Sequence, residues 1–205
     1  NAACEPEIID LAKCLNAMGA KIEGAGTPRI KIQGVEKLHQ ARHTIIADRI
    51  EAGTYAVAAA ITDGCLKLHN LEMWLLTGFK EELERAGVSI VEVEKNIIEV
   101  KRNTKEIQPV SFSTHPFPGF PTDMQAQLMA LNVIAEGTAV IVENIFENRF
   151  MHALELQRLG ANIQLRGHTA TCIGVEQLHG APTMATDLRA SASLVLAGLA
   201  AQGET

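Results

Sequence analysis

Apolar and polar positions along the chain alternate between helical and strand-like spacing. Helical spacing occurs in DRIEAGTYAVAAAITDG, DMQAQLMALNVIAEG and DLRASASLVLAGLAAQG, which begin at Asp48, Asp123 and Asp187 and each end at a glycine. In such stretches the apolar residues recur every three or four positions, as on one face of a helix. Short apolar runs typical of strands, CLKLHN and TAVIVEN, follow the first two helices. This order predicts an α/β protein.

A second kind of helix follows each of these strands, in WLLTGFKEELERAG and RFMHALELQRLG. In the first, Phe79, Leu83 and Ala86 fall on one face at helical spacing, and in the second Leu154, Leu156 and Leu159 do so approximately. A glycine follows each helix and is expected to end it, since glycine readily adopts the left-handed conformation found there. Two alternating segments, typical of paired strands, come next.

The helix-ending glycine recurs in a similar context at Gly19, Gly87 and Gly160, so a unit of about 70 residues repeats. Each unit is predicted to contain a helix, a strand, a second helix and two strands, with a short strand before the first helix. This is a βαβαββ order. Of the earliest unit the chain holds only a second helix, PEIIDLAKCLNAMG, and the strands around KIEGAG and RIKIQGV.

The chain starts and stops inside such units, which predicts that it is a piece of a longer protein. Incomplete units would leave apolar surface where further strands pair. We therefore expect either self-association or coverage by the missing segments of the full-length chain.

The starts of the three first helices are rich in capping residues. Asp48 is followed by Glu51 and Thr122 by Gln125, a spacing typical of helix N-termini. The third start contains Thr186 and Asp187. If the units surround a pseudo-threefold axis, the three N-termini converge.

Converging helix N-termini favour anions, because their free N–H groups and dipoles point to one place. Arg49, Arg149 and Arg189 lie at or near helix starts and would add charged donors. The alternative is purely structural: aspartate and threonine cap helices, and an arginine in a first turn can simply face solvent.

Composition excludes several classes of function. The net charge of −6 argues against a nucleic-acid surface, and no apolar run approaches the ~20 residues that span a bilayer. The seven histidines show no paired metal-ligand spacing, so neither a metal nor another cofactor is predicted. The four cysteines are scattered singly, which favours reduced, mostly buried thiols in a cytoplasmic protein.

Several long segments resemble one family closely. GFPTDMQAQ, ENIFENRFMHALELQRLGA and MATDLRASASLVLAG are similar to the UDP-N-acetylglucosamine enolpyruvyl transferases, and NAACEPEI and DRIEAGTYAVAAAI fit the same family. The resemblance covers essentially the whole chain. It implies an inside-out α/β barrel fold, in which two domains each hold three βαβαββ units and substrates bind in the cleft between them. Residues 1–46 would then be the last part of the first domain. Residues 47–205 would be most of the second, with two full units and the start of a third.

The resemblance also implies a reaction. Members of the family transfer the enolpyruvyl group of phosphoenolpyruvate to the 3′-hydroxyl of UDP-N-acetylglucosamine and release phosphate. This is the first committed step of bacterial peptidoglycan synthesis. It proceeds by addition and then elimination, and it needs a base, an acid and cationic groups.

Roles for single residues follow from the same resemblance. Asp123 is the candidate general base and sugar-nucleotide ligand, with Thr122 beside it. Ile145, just before Phe146, matches a position whose backbone meets the nucleotide. Arg149 and Arg189 are expected to surround the phosphates with positive charge, and Asp187 to orient nearby groups. The resemblance thus implies a substrate-binding set of Thr122, Asp123, Ile145, Phe146, Arg149, Asp187 and Arg189.

The family's proton-donating loop, its lysine–asparagine pair and a further arginine have no match in this chain. We therefore expect these residues alone to be inactive. Two alternatives stay open: the related 3-phosphoshikimate 1-carboxyvinyltransferase, whose motifs differ from TDMQAQ and ENRFMH, and a non-catalytic ligand-binding or structural repeat fragment.

Overall fold

The computed structural model describes residues 1–185 and 187–205, so Thr186, predicted to lie at a helix start, is outside the described residues. Helices and strands alternate along these ranges, as predicted. The helices are α1 (Pro6–Ala17), α2 (Arg49–Ile61), α3 (Lys80–Arg85), α4 (Gln125–Asn132), α5 (Met151–Arg158) and α6 (Leu188–Ala200). The strands are β1 (Lys21–Glu23), β2 (Lys31–Gln33), β3 (Cys65–His69), β4 (Val88–Glu94), β5 (Ile97–Arg102), β6 (Phe112–Ser113), β7 (Thr138–Val142), β8 (Asn162–Arg166), β9 (Thr169–Ile173), β10 (Leu178–His179) and β11 (Ala201–Gln202).

The second repeat unit shows the complete βαβαββ order, from β6 through α4, β7, α5 and β8 to β9. Its sheet has the strand order β6-β7-β9-β8, in which β6 runs parallel to β7 and the other pairs are antiparallel. The repeat predicted from the helix-ending glycines is therefore observed.

The first unit differs from the second at one edge of its sheet. Its strand order is β3-β5-β4, without a counterpart of β6 beside β3. The short strand predicted before α2 is wrong, since residues 40–48 form no strand. This segment runs instead toward α1, where His43 Nε2 lies 2.9 Å from the carboxylate of Asp10. A groove of about 820 Å³, lined partly by Ile45, Tyr55 and Leu66, separates it from β3.

The three first helices, α2, α4 and α6, pack against one another. All eight residues of α4 are buried, including three polar ones. Buried polar groups are tolerated when they find hydrogen-bond partners. The side chain of Asn132 bonds to both the N–H and the C=O of Val110, and Gln127 donates to the hydroxyl of Thr54 at 3.1 Å. The core of the molecule therefore surrounds α4.

Two of the predicted helix caps are present. Asp48 accepts hydrogen bonds from the N–H groups of Ile50 and Glu51, and Asp187 caps α6 in the same way. The predicted cap at Thr122 is wrong. Residues 122–124 form a short 3₁₀ turn before α4, and neither this turn nor α4 has a side-chain cap. The hydroxyl of Thr122 bonds instead to side chains from other segments.

The predicted buried faces of the second helices, α3 and α5, are confirmed in part. Phe79, Leu83 and Ala86 are all buried, although a 3₁₀ turn at Met73–Leu76 shortens this helix to α3. On α5, the prediction for Leu154 is wrong, because its side chain is 59% exposed whereas Leu156 and Leu159 are fully buried. Positions 154 and 156 differ by about 200° around a helix, so they cannot share one face.

Each predicted helix-ending glycine has a positive φ, between 94° and 97° at Gly19, Gly87 and Gly160. The predicted burial of the cysteines is wrong for Cys65, which is exposed at the start of β3, and Cys172 alone is fully buried. Within the described ranges, no helix is long and apolar enough to cross a membrane.

The two leucines of α5 allow a test of this packing. Leu156→Ala is expected to lower the free energy of unfolding by about 2–5 kcal/mol, because it opens a cavity in the core. Leu154→Ala, with the same chemistry on the solvent face of the same helix, should change it by less than about 0.5 kcal/mol. Urea denaturation followed by circular dichroism measures both. Equal losses in the two variants would contradict this orientation of α5.

Candidate active site

Asp123 lies at the centre of a cluster of charged groups at the start of the segment that leads into α4. Its Oδ1 accepts a hydrogen bond of 2.6 Å from Nη2 of Arg149, and its Oδ2 one of 3.3 Å from Nη2 of Arg189. Arg149 lies two residues before α5, next to its N-cap Phe150, and Arg189 lies in the first turn of α6. The carboxylate is thus held between two arginines from separate segments of the chain.

The two arginines keep Asp123 ionised. Burial by itself raises the pKa of this carboxyl group, because a buried charge loses its hydration. The hydrogen bond from Arg149 and the positive charges of both arginines outweigh that effect, so the pKa of Asp123 is lowered below its usual value. Near neutral pH the side chain is therefore a carboxylate, which can accept a proton or a hydrogen bond.

Arg149 connects Asp123 with Thr122 and Phe146. Its Nη1 donates to the hydroxyl of Thr122 at 2.8 Å, while its guanidinium group lies 4.8 Å from the centre of the Phe146 ring. A guanidinium at this distance from an aromatic ring is in the range of a cation–π contact. Three of the predicted residues therefore meet around one side chain.

Glu143 organises the loop that carries Ile145 and Phe146. This buried glutamate follows β7, and its Oε1 accepts hydrogen bonds from the backbone N–H groups of Ile145 and Phe146 at 2.9 and 3.1 Å. Glu143 is not among the site residues predicted from the sequence. The available signal was a glutamate directly after the apolar strand TAVIV and just before the ENIFEN residues already singled out.

Two cavities meet at Asp123. One, of about 270 Å³, is lined by Thr122, Ile145 and Phe146 on one side and by the 115–117 loop on the other. The second, of about 710 Å³, lies between α1 and the segment from residue 43 to Ile50, and Arg189 borders it. Cavities of this size are typical of small-molecule sites.

Residues of α1 and the segment before it also contribute to the cavities. Glu5 borders both of them, and its Oε2 is buried with no hydrogen-bond partner among the described residues. Glu7 accepts a hydrogen bond of 2.8 Å from Nε of Arg49, which also borders both. Neither glutamate is among the site residues predicted from the sequence.

Two predicted residues stand apart from the arginine–aspartate cluster. Asp187 accepts from the N–H groups of Arg189 and Ala190, both at 2.8 Å, so its carboxylate serves as the cap of α6. Arg49 is neutralised by Glu7 and lies 5.8 Å from the Phe117 ring centre. The three first-helix starts do converge, because Asp48, Asp123 and Arg189 all border the larger cavity.

His152 lies behind this cluster, in the first turn of α5. Its side chain is 2% exposed, and Nε2 has no hydrogen-bond partner within the described part of the chain. Burial lowers the pKa of His152 to about 4; the negative charge of Asp187 opposes this shift and the positive charge of Arg149 adds to it. The imidazole is therefore neutral at neutral pH.

The chemistry available here is that of an ionised carboxylate hydrogen-bonded to two guanidinium groups. Both arginines could donate to a phosphate or carboxylate of a ligand, which would free Asp123 to accept a proton. Across the described residues, no group of three histidine, cysteine or acidic side chains is arranged to hold a metal ion.

The sequence as a whole matches one protein family, described as EPSP synthase (3-phosphoshikimate 1-carboxyvinyltransferase), over residues 1–205. The chain belongs to the EPSP synthase family. Within the family, its sequence is 62% identical to the UDP-N-acetylglucosamine 1-carboxyvinyltransferase of Rhodopseudomonas palustris strain BisA53 and 58% identical to that of Ruegeria pomeroyi. Each comparison covers all of this chain and 48% of the relative, so the chain spans about half the length of these curated relatives. The family resemblance noted in the sequence is confirmed.

Solved structures of EPSP synthase family members support the fold. The crystal structure of the enolpyruvyl transferase NikO from Streptomyces tendae superimposes with a TM-score of 0.80 at 30% identity, over 96% of this chain and 47% of that one. EPSP synthase from Acinetobacter baumannii gives 0.68 at 19% identity, over 94% of this chain and 48% of that one, and shows the fold alone. The predicted α/β fold of the enolpyruvyl transferases is confirmed.

Buried His152 makes stability depend on pH. Its folded-state pKa of about 4 lies below the ~6.5 of an unfolded chain, so the unfolded state binds more protons between these values. Stability is therefore lost as pH falls below ~6.5. We expect lowering the pH from 7 to 5 to cost the wild type about 2 kcal/mol more than it costs His152→Gln.

Urea unfolding of both proteins at the two pH values measures this difference. The exposed His69→Gln is the matched control and should keep the wild-type pH dependence. The same pH dependence in all three proteins would contradict the prediction, because it would show that the pKa of His152 is equal in the folded and unfolded states.

Proposed function

We propose that the full-length protein containing this chain transfers the enolpyruvyl group of phosphoenolpyruvate to the 3′-hydroxyl of UDP-N-acetylglucosamine. The observation that carries the proposal is Asp123, ionised and held by Arg149 and Arg189 where two cavities meet. The proposal draws further support from relatives that carry the name of this activity and are 58–62% identical over all 205 residues.

In this reaction the 3′-oxygen adds to C2 of phosphoenolpyruvate, and its proton passes to a base while C3 gains a proton from an acid. The tetrahedral adduct then loses phosphate from C2 and a proton from C3, which restores the double bond. We assign the base to Asp123, since a carboxylate within hydrogen-bond reach of a hydroxyl can accept its proton. The acid is not assigned to a residue of this chain.

The arginines have two roles in this proposal. In the structure both donate to Asp123 and lower its pKa, which makes it a weak base. Phosphate and carboxylate groups of the substrates would compete for Arg149 and Arg189. As the arginines turn to the substrates, the pKa of Asp123 would rise, so substrate binding and activation of the base would be coupled.

The remaining site residues would position the sugar nucleotide. The backbone at Ile145 and the ring of Phe146 line the smaller cavity together with Thr122, so we assign the nucleotide to that side. Asp187 would act indirectly, by capping α6 and thereby fixing Arg189 at its first turn. We also propose that residues 1–46 and 47–205 belong to two domains with the cavities between them. The cytoplasmic location stays a prediction.

Replacing the base tests the reaction. In the full-length enzyme, Asp123→Asn is expected to lower kcat by about 100- to 10,000-fold, because the amide cannot accept the hydroxyl proton. Asp63→Asn, which alters an exposed aspartate paired with Arg102, is the control. Phosphate release, measured with UDP-N-acetylglucosamine and with shikimate 3-phosphate in turn as the acceptor, provides the readout. The 205-residue chain alone should release none.

Three results would contradict this assignment. A wild-type enzyme that uses shikimate 3-phosphate in place of UDP-N-acetylglucosamine would favour the related reaction named in the family description. Turnover with neither acceptor would favour a non-catalytic protein. An Asp123→Asn variant with normal kcat would show that Asp123 is not the base, while the proposed substrates would remain supported.

The isolated chain is expected to self-associate, because α2 and α6 leave apolar side chains exposed that further parts of the longer protein would cover. Tyr55, Val195 and Leu199 are each more than half exposed and border one groove of about 370 Å³. Sedimentation velocity should show concentration-dependent dimers or larger species. The double variant Val195→Lys, Leu199→Lys should shift them to monomer, whereas Leu154→Lys, at an exposed leucine on α5, should not. A monomeric wild-type chain at every concentration would contradict this proposal.

A further inference from the structure

Glu143 accepts four hydrogen bonds although its side chain is only 3% exposed. Its Oε1 accepts from the hydroxyl of Thr114 at 2.8 Å and from the N–H groups of Ile145 and Phe146. Its Oε2 accepts from the hydroxyl of Thr122 at 2.9 Å. A buried carboxylate is costly unless such donors replace its hydration, and here the donors come from three separate segments.

These three segments, together with Glu5 and Arg49, line the smaller cavity. Thr114 directly follows β6, and its hydroxyl also accepts a hydrogen bond of 2.8 Å from the N–H of Asn144. Thr122 adjoins Asp123 at the start of the segment into α4. Ile145 and Phe146 lie on the loop after β7. A single carboxylate therefore sets the spacing between this loop and the aspartate.

The direction of the Thr122 hydrogen bonds also depends on Glu143. A hydroxyl has one proton, and that of Thr122 is donated to Glu143, so its lone pairs are left for other donors. Nη1 of Arg149 donates to this oxygen at 2.8 Å, while Nη2 of the same guanidinium donates to Asp123. A continuous chain of hydrogen bonds thus runs from Glu143 through Thr122 and Arg149 to Asp123.

We propose that Glu143 is a positioning residue for both the sugar-nucleotide loop and the base, and this inference rests on the proposed function. Glu143 acts through other groups. On the nucleotide side it holds the N–H groups of Ile145 and Phe146. On the other side it positions Asp123 through the hydroxyl of Thr122 and the guanidinium group of Arg149. An uncharged side chain of the same shape cannot replace it. An amide has one acceptor oxygen instead of two, and it presents N–H groups to donors that need an acceptor.

The test compares Glu143→Gln with the wild type in the full-length enzyme. Loss of one buried acceptor should raise KM for UDP-N-acetylglucosamine by about 5- to 10-fold and lower kcat by about 10- to 100-fold. KM for phosphoenolpyruvate should change by no more than about 2-fold, because the loop of Ile145 and Phe146 is assigned to the nucleotide. A purely structural role would lower the amount of folded enzyme and leave both KM values unchanged.

Glu155→Gln is the matched control. Glu155 is another buried glutamate that accepts a backbone N–H, that of Met184, and it lines neither of the two cavities. Its replacement should affect stability while leaving both KM values at the wild-type level. A rise in KM for UDP-N-acetylglucosamine as large as that of Glu143→Gln would overturn the specific role of Glu143.

A double-mutant cycle tests the path to Asp123. If Glu143 acts on kcat through the Thr122 hydroxyl, Glu143→Gln should lower kcat much less when Thr122 is already valine. Thr122→Ser, which keeps the hydroxyl, should preserve the full effect. Additive losses in the Thr122→Val background would remove this path from the inference.

Amide hydrogen exchange separates failure of the inference from failure of the proposed function. The N–H groups of Ile145 and Phe146 should exchange at least about 10-fold faster in Glu143→Gln than in the wild type, whatever the substrate is. If the wild type shows no transferase activity, the proposed function fails, and faster exchange still supports Glu143 as the residue that positions this loop. Unchanged exchange, or unchanged KM values in an active enzyme, would overturn the inference.

Discussion

The burial of α4 on every side is the constraint on which the rest of the structure depends. A helix with no solvent face needs partners all round, and α2 and α6 provide two of them. Their first turns consequently approach the start of the α4 segment, where the chain returns to the surface. Asp123 lies at that point, and Arg189 of α6 reaches it. The charged cluster is thus a consequence of how three largely apolar helices pack.

Each arginine of this cluster has a carboxylate partner within the protein itself. Arg149 and Arg189 are paired with Asp123, and Arg49 is paired with Glu7. The anion site expected from three converging helix starts is therefore occupied by the protein's own carboxylates. Under the proposed function, a substrate with phosphate groups would compete with these partners, so its binding energy would depend on a rearrangement that also changes the basicity of Asp123.

The two repeat units in residues 49–102 and 112–173 share their order of elements but not their chemistry. The first has an apolar core, with no buried polar side chain in that range, all of which the structure describes. The buried polar side chains of the second are Thr114, Gln125, Gln127, Asn132, Glu143, His152 and Glu155. The repeated fold thus carries most of its buried polar side chains in one copy.

The sequence by itself determined most of the order of elements, the repeat, the family, and the residues that the structure brings together around Asp123. Local signals suffice for these: the face of α3, the glycines at 87 and 160, and long segments such as ENIFENRFMH. Only the tertiary structure decided where the hydroxyl of Thr122 donates, that Leu154 faces solvent, and that Glu143 joins three segments. Each of these depends on groups distant along the chain, and local spacing holds no information about them. A carboxylate after a strand looks the same in sequence whether it faces water or four donors.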